Sequence, residues 1–283
     1  MSWALVLTAP PEELEVLAAE LFELGALGVE LQEPGMPLMP GTPDLPHGRG
    51  RAIAHFEQHD AALEAAGTLG TEPPVEIAAQ DWSVSWRAHH KVMRVGPRSW
   101  VIPPWEKAPE GVCVTIDPGM AFGTGSHPTT SLCLEACDEL LASRPGAALL
   151  DVGTGSGVIA LLAVKLGAGR VAGTENDVVA LQAARAGTAL NGLPENRIEW
   201  LLLDPQAVPG QFDVVIANIL LNTLEELAEQ IAPRVAPGGR LVLSGLLVAQ
   251  GDAAERAYLA QGLRPVGRKE RQGWIRVELE RAP

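Results

Sequence analysis

A glycine-rich segment at residues 151–157 limits the possible fold of this chain more than any other feature of its sequence. The segment reads DVGTGSG; it follows the apolar residues 147–150 and precedes the apolar residues 158–166, which have helical character. Glycines between a strand and a helix let a ligand approach the backbone, and they leave amide groups exposed at the start of the helix. The segment therefore predicts a ligand-binding turn at the carboxyl end of a strand in an open α/β sheet.

Strand-like and helix-like segments alternate along the chain from residue 110 onward. The predicted strands cover residues 147–152, 170–174, 198–203, 212–217 and 239–243. The predicted helices cover residues 158–166, 178–190 and 223–235. Such alternation is typical of a parallel sheet with helices on both faces, and two final strand-like segments, at 263–268 and 274–279, would complete a seven-stranded, Rossmann-like sheet.

The spacing of the glycines distinguishes between two kinds of nucleotide site. Gly153, Gly155 and Gly157 follow the pattern G-x-G-x-G, whereas a dinucleotide fingerprint would require a glycine in place of Val158. The spacing found here is typical of methyltransferases that use S-adenosylmethionine. The alternative is a glycine-rich turn that serves only tight packing. We therefore predict S-adenosylmethionine as the cofactor, with Gly153 and Gly155 among the residues that bind it.

Polar side chains follow three of the predicted strands. Doubly wound nucleotide-binding folds place a carboxylate at the end of the second strand, where it accepts hydrogen bonds from ribose hydroxyls, and this makes Glu175 the ribose candidate. The alternative role is that of an exposed carboxylate at a helix start, for which Asp177 is equally suited. Asp204, at the end of the third strand, is predicted to flank the adenine.

Asn218 follows the fourth predicted strand, beside the crevice in which ligands of open α/β sheets bind. A neutral carboxamide there can accept a hydrogen bond from an amine nucleophile, or hold the cofactor, without becoming a competing nucleophile. We therefore predict that Asn218 faces the transferred methyl group. The alternative is an N-cap for the predicted helix that follows.

A second glycine-rich segment, DPGMAFGTGSHPTT, occupies residues 117–130 just before another predicted helix. Phe122 could stack on an aromatic ring, and Thr129 or Thr130 could cap the helix while donating a hydroxyl to a ligand. His127 could act as a base, but a lone histidine is more often a structural hydrogen-bonding group. Because no second ligand stands at a metal-binding spacing from it, we predict no metal site.

Residues 1–80 are predicted to form a separate domain of ferredoxin-like α+β type, because strand, helix and strand occur twice in succession. A loop rich in proline and glycine, at residues 34–50, separates the two halves. The domain has thirteen carboxylates but only two basic side chains, Arg49 and Arg51. Since nucleic-acid binding normally requires a basic surface, this composition argues against direct contact with DNA or RNA and favours a basic protein partner.

Residues 81–109 are predicted to link this domain to a cofactor-binding domain at residues 110–283. The linker contains four of the seven tryptophans, which would anchor it against both domains or cover a substrate-facing surface. No stretch approaches the roughly 18 apolar residues of a membrane-spanning helix, and the N-terminus lacks the pattern of a signal peptide. Three cysteines are too few for a disulfide framework, so we expect a cytoplasmic protein without membrane contacts.

Three segments resemble a known family. They are DPGMAFGTGSHPTTSLCLEA at residues 117–136, DVGTGSGVIALLAVKLGA at 151–168 and VIANILLNTLEELA at 215–228. Each is similar to the corresponding segment of the bacterial ribosomal protein L11 methyltransferases, and the resemblance extends over residues 80–283. It implies a class I methyltransferase fold preceded by a ferredoxin-like domain that recognises the ribosomal protein, free or in the large subunit. It also implies repeated methylation of lysine side chains and of the α-amino group of that substrate.

The resemblance also implies a site. Its cofactor-binding residues would be Thr130, Gly153, Glu175 and Asn218. Phe122 and Gly123 would lie near the methyl group and take part in catalysis together with Asn218. The family usually has aspartate where Glu175 stands, and this longer side chain should still reach a ribose.

Two other functions stay open. The chain could be a methyltransferase of another protein or of a small-molecule amine, or a ribosome-assembly binder that uses the cofactor only structurally. A methyltransferase of bases or glutamine amides would be expected to carry Asn-Pro-Pro-Tyr after the fourth strand. The sequence at 218–221 is Asn-Ile-Leu-Leu, which disfavours planar nitrogens as methyl acceptors.

Overall fold

The computed structural model describes residues 2–26, 28–32, 48–77, 91–117 and 125–283. The chain divides into two units, Met1–His89 and His90–Pro283. Each unit has its own sheets and its own hydrophobic core. This boundary concerns structure alone, and the functions assigned above to the domains at 1–80 and 110–283 stay predictions.

The first unit contains a four-stranded antiparallel sheet and two helices. Its strands are β1 (Ser2–Ala9), β2 (Gly28–Gln32), β3 (Gly50–Phe56) and β4 (Val75–Ile77), and its helices are α1 (Leu14–Glu23) and α2 (His59–Leu69). The strand order is β2-β3-β1-β4. The element order βαββαβ is that of a ferredoxin-like domain, as predicted. Most of the predicted loop at 34–50 lies outside the described residues, and its last residue, Gly50, begins β3 instead.

A small sheet of the second unit occupies part of the predicted linker at 81–109. Strands β5 (Met93–Arg94) and β6 (Ser99–Ile102) lie within that range, and β6 pairs with both β5 and β7 (Val112–Thr115). Residues 81–90, with two of the four linker tryptophans, lie outside the described residues. Residues 93–102 thus belong to the second unit.

A buried carboxylate fixes this small sheet to the helix that follows it. Helix α3 (Pro128–Ser143) carries Asp138, whose side chain is fully buried. Asp138 Oδ1 accepts a hydrogen bond from Arg98 Nε at 2.7 Å, and Asp138 Oδ2 accepts bonds from Arg98 N and Ser99 Oγ, both at 2.8 Å. A protein interior tolerates a charge that is paired and hydrogen-bonded in this way.

The second unit is built on a seven-stranded sheet. Its strands are β8 (Leu149–Val152), β9 (Val171–Glu175), β10 (Glu199–Leu202), β11 (Phe212–Asn218), β12 (Val235–Leu247), β13 (Leu263–Arg271) and β14 (Trp274–Arg281). The strand order is β10-β9-β8-β11-β12-β14-β13. Strands β8 to β12 pair in parallel, while β14 runs antiparallel to both of its neighbours. The predicted seven-stranded, Rossmann-like sheet is confirmed.

Helices cover both faces of this sheet. One face carries α3, α4 (Val158–Lys165) and α5 (Val178–Leu190), and the other carries α6 (Leu221–Glu226), α7 (Ala228–Ile231) and α8 (Gly251–Leu259). Successive residues of β8 point to opposite faces, so Leu149 packs in one core and Leu150 in the other. In the part of the chain that the structure describes, none of the helices is long and apolar enough to cross a membrane.

Two elements differ from the sequence predictions. The single helix predicted at 223–235 is replaced by the short helices α6 and α7 and a 3-10 turn at Ala232–Arg234. Pro233 within that turn has no amide hydrogen to continue an α-helix. Helix α8 was not predicted from the sequence, although its buried residues, Gly251, Ala254 and Tyr258, recur at helical spacing, because the segment as a whole is polar.

Candidate active site

A cavity of about 670 Å³ lies where the parallel strands of the large sheet end. Its walls come from the glycine-rich turn after β8, from the ends of β9 to β12, and from the starts of α3, α5 and β14. Ligands of open α/β sheets bind in this crevice, and the volume suits a small organic molecule. We call it the strand-end cavity.

The glycine-rich turn supplies exposed backbone to the strand-end cavity. Gly153 and Gly155 both line it, with φ angles of +67° and +53° that favour glycine. A Cβ atom on Gly153 would overlap the Cγ2 atom of Ile219. Gly157, with a φ angle of +79°, caps α4, and a Cβ atom there would meet the ring of Trp200. The turn therefore depends on glycine both for its conformation and for its close contacts.

Glu175 ties the end of β9 to this turn. Its Oε2 atom accepts a hydrogen bond from Gly155 N at 2.9 Å, and its Oε1 atom accepts one from Asn176 N at 2.9 Å. Oε1 also accepts a bond from Asp177 N at 3.3 Å. A carboxylate has about four lone-pair sites, so Oε2 can still accept a bond from a ribose hydroxyl. The helix-start role belongs to Asp177, whose Oδ1 atom accepts a bond from Val179 N at 2.8 Å and caps α5.

Asn218 lines the strand-end cavity and carries a buried acceptor without a partner among the described residues. Its Nδ2 atom donates a hydrogen bond to Thr130 Oγ1 at 3.3 Å, which leaves the carboxamide oxygen free for another donor. That Oδ1 atom is buried and has no hydrogen-bond partner among the described residues. Asn218 is not a helix cap, because α6 begins at Leu221 and its N-cap residue is Leu220.

His127 caps α3, a role that the sequence assigned to Thr129 or Thr130. Its Nδ1 atom accepts a hydrogen bond from Thr129 N at 3.3 Å and lies 2.7 Å from Thr129 Oγ1. The prediction fails because Pro128 takes the first helical position and therefore makes the preceding residue the cap. The imidazole packs edge-on against Trp274, with ring centroids 4.6 Å apart. Burial lowers the pKa of His127, so the ring is neutral at pH 7.

Asp151 lies under the glycine-rich turn and is only 1% exposed. Its Oδ2 atom accepts hydrogen bonds from Thr154 Oγ1 at 2.6 Å and from Ala160 N at 3.3 Å, while Oδ1 is buried without a partner among the described residues. Burial raises the pKa of this carboxyl to about 7, and the charge of Glu175 raises it further, against the effect of the two hydrogen bonds. Asp151 therefore stabilises the glycine-rich turn through its bonds to Thr154 and Ala160. Near neutral pH its carboxyl group is protonated in part of the molecules.

Comparison with known proteins identifies the family. A model of the family "Ribosomal protein L11 methyltransferase (PrmA)" matches residues 2–282. The chain belongs to this family. A ribosomal protein L11 methyltransferase of Myxococcus xanthus is 43% identical over 98% of each chain, and one of Pseudomonas aeruginosa is 40% identical over 98% of each. A crystal structure of a ribosomal protein L11 methylase from Lactobacillus delbrueckii matches with a TM-score of 0.61 and 28% identity, over 69% of this chain and 99% of that one.

Membership of the family makes the chain an S-adenosylmethionine-dependent methyltransferase of class I fold. The strand-end cavity fits that cofactor. The glycine-rich turn, in which a Cβ atom on Gly153 would displace Ile219, exposes backbone to it. Glu175 offers a carboxylate at the position used for ribose, and Asn218 lines the cavity.

The structure gathers most of the predicted site residues of this family member. The strand-end cavity is lined by Gly153, Gly155, Glu175, Asp204 and Asn218. Thr130 is buried behind them and contacts the cavity only through its bond to Asn218. Phe122 and Gly123 lie in the segment 118–124, outside the described residues, so their placement near the methyl group stays a prediction.

Sequence reasoning missed Trp274, which also lines the strand-end cavity. The signal was available in the predicted topology. An antiparallel last strand begins at the edge where parallel strands end, so a large aromatic at its first residue faces the ligand crevice. Gly245 was missed as well; its φ angle of +84° and its approach to the backbone of Ile219 show a close contact that a sequence pattern does not reveal.

Proposed function

We propose that this chain methylates amines of ribosomal protein L11, both lysine side chains and the N-terminal α-amino group. The observation that carries the proposal is Asn218, which lines the strand-end cavity and whose buried Oδ1 atom has no hydrogen-bond partner among the described residues. A buried acceptor left unpaired costs about 1–3 kcal/mol, and an amine N–H would satisfy it. The names of the relatives supply the substrate protein.

The proposed cofactor site follows the geometry of the cavity. Backbone groups of Gly153 and Gly155 would contact the cofactor, Glu175 would accept the ribose hydroxyls, and Asp204 would flank the adenine. Thr130 would act through Asn218, whose amide is hydrogen-bonded to it. When bound, S-adenosylmethionine supplies a methyl group on a positively charged sulfur, which is an electrophile.

The protein's part in the reaction is to present a neutral amine. A lysine with a pKa of about 10.4 must lose a proton before its nitrogen has a lone pair for attack. A cavity that excludes water lowers the pKa of the amine, and Asn218 Oδ1 can hold the remaining N–H so that the lone pair points away from the carboxamide. His127 is neutral, but its Nδ1 atom already serves as the cap of α3. We therefore assign the proton to water and no obligatory base to the protein.

The acidic first domain is the proposed recognition element for the ribosomal protein, free or in the large subunit. Its described helix α2 exposes Asp60 and Glu64, and basic side chains in residues 1–80 are limited to Arg49 and Arg51. Such a surface attracts a basic protein and repels phosphate, so no direct contact with nucleic acid is proposed. Unpaired thiols at Cys113, Cys133 and Cys137 support a cytoplasmic location, where disulfides are rare.

Mass spectrometry of purified ribosomal protein L11 tests the proposal. After incubation with the enzyme and S-adenosylmethionine, we expect the mass to rise in steps of one methyl group, with peptide mapping placing the groups on lysine and α-amino nitrogens. Asn218→Ala should give far fewer methyl groups while the substrate still binds. Cofactor binding without any gain in mass on L11, together with methylation of a different amine, would contradict the proposed substrate.

A further inference from the structure

The hairpin of β13 and β14 carries Trp274 to the strand-end cavity. Gln272 and Gly273 form its two-residue turn, with φ angles of +51° and +82°, as the favoured hairpin turns require. Trp274 is the first residue of β14, lines the cavity and packs against His127. Nothing in the reaction described above assigns a role to this indole or to the residues that hold it.

Arg271 stands directly opposite Trp274 in the hairpin. Directly opposite residues of an antiparallel pair project from the same face of the sheet, so both side chains face α3. The Nη1 atom of Arg271 donates a hydrogen bond to Ser131 Oγ, and its Nη2 atom lies 3.2 Å from Glu135 Oε2. Lys269 Nζ lies 2.9 Å from the same carboxylate oxygen. We call Arg271, Ser131 and Glu135 the α3 clamp.

The α3 clamp joins two parts of the strand-end cavity. The first turn of α3 carries Thr129, which lines the cavity, and Thr130, which holds Asn218. Ser131 is the next residue, and Glu135 lies one turn further along the same helix. The side chain of Glu135 is only 18% exposed, so its ion pairs are less screened by solvent than surface pairs are. A shift of the hairpin against α3 would move Trp274 relative to Asn218.

The surroundings of Trp274 suit an alkyl chain that ends in a cation. Leu247 stands opposite Trp274 on β12, so the two side chains share a face of the sheet. Leu247 is 48% exposed, and Leu220, which lines the strand-end cavity, is 73% exposed. Exposed apolar groups beside a cavity pack against the methylene groups of lysine, and an indole face attracts the ammonium group.

Resting on the proposed function, we infer that Arg271 is a positioning residue for methyl transfer. The bonds of Arg271 to Ser131 and Glu135 fix the position of the Trp274 indole. The indole forms the wall against which the alkyl chain of the substrate amine packs. The wall sets the angle at which the amine reaches Asn218. Arg271 itself touches neither the cofactor nor the amine, so its loss acts on the rate of transfer and not on cofactor binding.

Fluorine NMR and steady-state kinetics test this inference on the full-length protein. Trp274 is observed by 5-fluorotryptophan labelling, with Trp274→Phe to assign its resonance. The test variants are Arg271→Gln and the conservative Arg271→Lys. The matched control is Arg268→Gln, because Arg268 lies on the same strand but pairs with Asp252 at 2.6 Å and Glu255 at 2.8 Å.

We expect Arg271→Gln to move or broaden the Trp274 resonance and to lower kcat on ribosomal protein L11 by about 10-fold at saturating cofactor. The Kd for S-adenosylmethionine should not change. Arg271→Lys, which keeps the charge beside Glu135, should recover most of kcat. Arg268→Gln should leave both the resonance and kcat as in the wild type.

Three results would overturn the inference. An unchanged Trp274 resonance in Arg271→Gln would show that the α3 clamp does not hold the indole, and a moved resonance with wild-type kcat would show that the wall does not guide the amine. An equal loss of kcat in Arg268→Gln would show a general effect of hairpin stability. If the wild type methylates no amine of L11, the proposed function fails, while the fluorine resonance still decides whether Arg271 holds Trp274.

Discussion

Asp151, which lies under the glycine-rich turn, makes the free energy of unfolding depend on pH. Its pKa is about 7 in the folded protein because the carboxyl is buried, whereas an aspartate in an unfolded chain has a pKa of about 3.9. Between these two values the folded state holds a proton that the unfolded state has lost. The contribution of Asp151 to the free energy of unfolding is therefore complete below about pH 4 and is lost as the pH rises towards 7.

Asp151→Asn should remove this pH dependence. Asparagine keeps a carbonyl acceptor for Thr154 and Ala160 but does not titrate. Between about pH 5 and pH 7 the wild type should lose unfolding free energy relative to the variant at about 1.4 kcal/mol per pH unit. Urea unfolding at a series of pH values measures this difference. Parallel pH profiles for the two proteins would refute the raised pKa.

Gly153→Ala should weaken cofactor binding, because its Cβ atom would displace Ile219 in the wall of the strand-end cavity. We expect the Kd for S-adenosylmethionine to rise by about 10-fold, or about 1.4 kcal/mol, in isothermal titration calorimetry. Gly192→Ala is the matched control: its φ angle of +66° is nearly that of Gly153, but open space surrounds it. Both variants should lose about 1–2 kcal/mol of stability. A similar change in Kd for both would show that backbone strain alone is responsible.

Single residues were predictable where topology fixes their place. Glu175 and Asn218 could be assigned from sequence because parallel strands end at one edge of the sheet, and the turn glycines because their spacing is specific. Trp274 was overlooked although the predicted topology places the start of the last strand beside the cavity. Gly245 escaped because its close contact is with the backbone of Ile219, which a sequence pattern does not reveal. The cap by His127 depends on where α3 begins, a boundary that sequence patterns place poorly.

Among the elements, the small sheet of β5 to β7 depends on one buried carboxylate. Asp138→Ala would leave Arg98 and Ser99 without their shared acceptor. Arg98 is 45% exposed and can turn to water, but the buried Ser99 hydroxyl would lose its acceptor, so we expect a loss of about 1–3 kcal/mol in urea unfolding. Glu199→Ala is the control, since its ion pair with Arg170 is exposed and should be worth about 1 kcal/mol or less. Equal losses would contradict the anchoring role of Asp138.

Elements with a long apolar run were predicted, and those held by specific contacts were not. Strands β8 and β11 and helix α4 are almost continuously apolar and buried, which a sequence displays directly. Strands β5 and β6 are too short for such a pattern, and their anchor on Asp138 is about 40 residues away in the chain. Helix α8 is fixed by Tyr258, which donates a hydrogen bond to Leu224 O at 3.0 Å.

At the scale of the whole molecule, the formal charge of −14 should assist capture of a basic substrate. Salt shortens the range of that attraction, from about 30 Å at 0.01 M to about 10 Å at 0.1 M ionic strength. We therefore expect the KM for ribosomal protein L11 to rise with salt while kcat stays constant, since transfer takes place inside the strand-end cavity. Initial rates at several salt concentrations measure both constants. A KM that does not depend on salt would show that the acidic surface does not contribute to substrate recognition.

The Asn218 carboxamide is the proposed group that receives the substrate amine. Its direct test is the single-turnover rate of methyl transfer to ribosomal protein L11 by Asn218→Ala at saturating cofactor, so that any change in cofactor affinity does not enter. We predict a rate about 100-fold below that of the wild type, the size expected when a reacting group loses its orientation. A variant that transfers methyl groups at the wild-type rate would contradict the account.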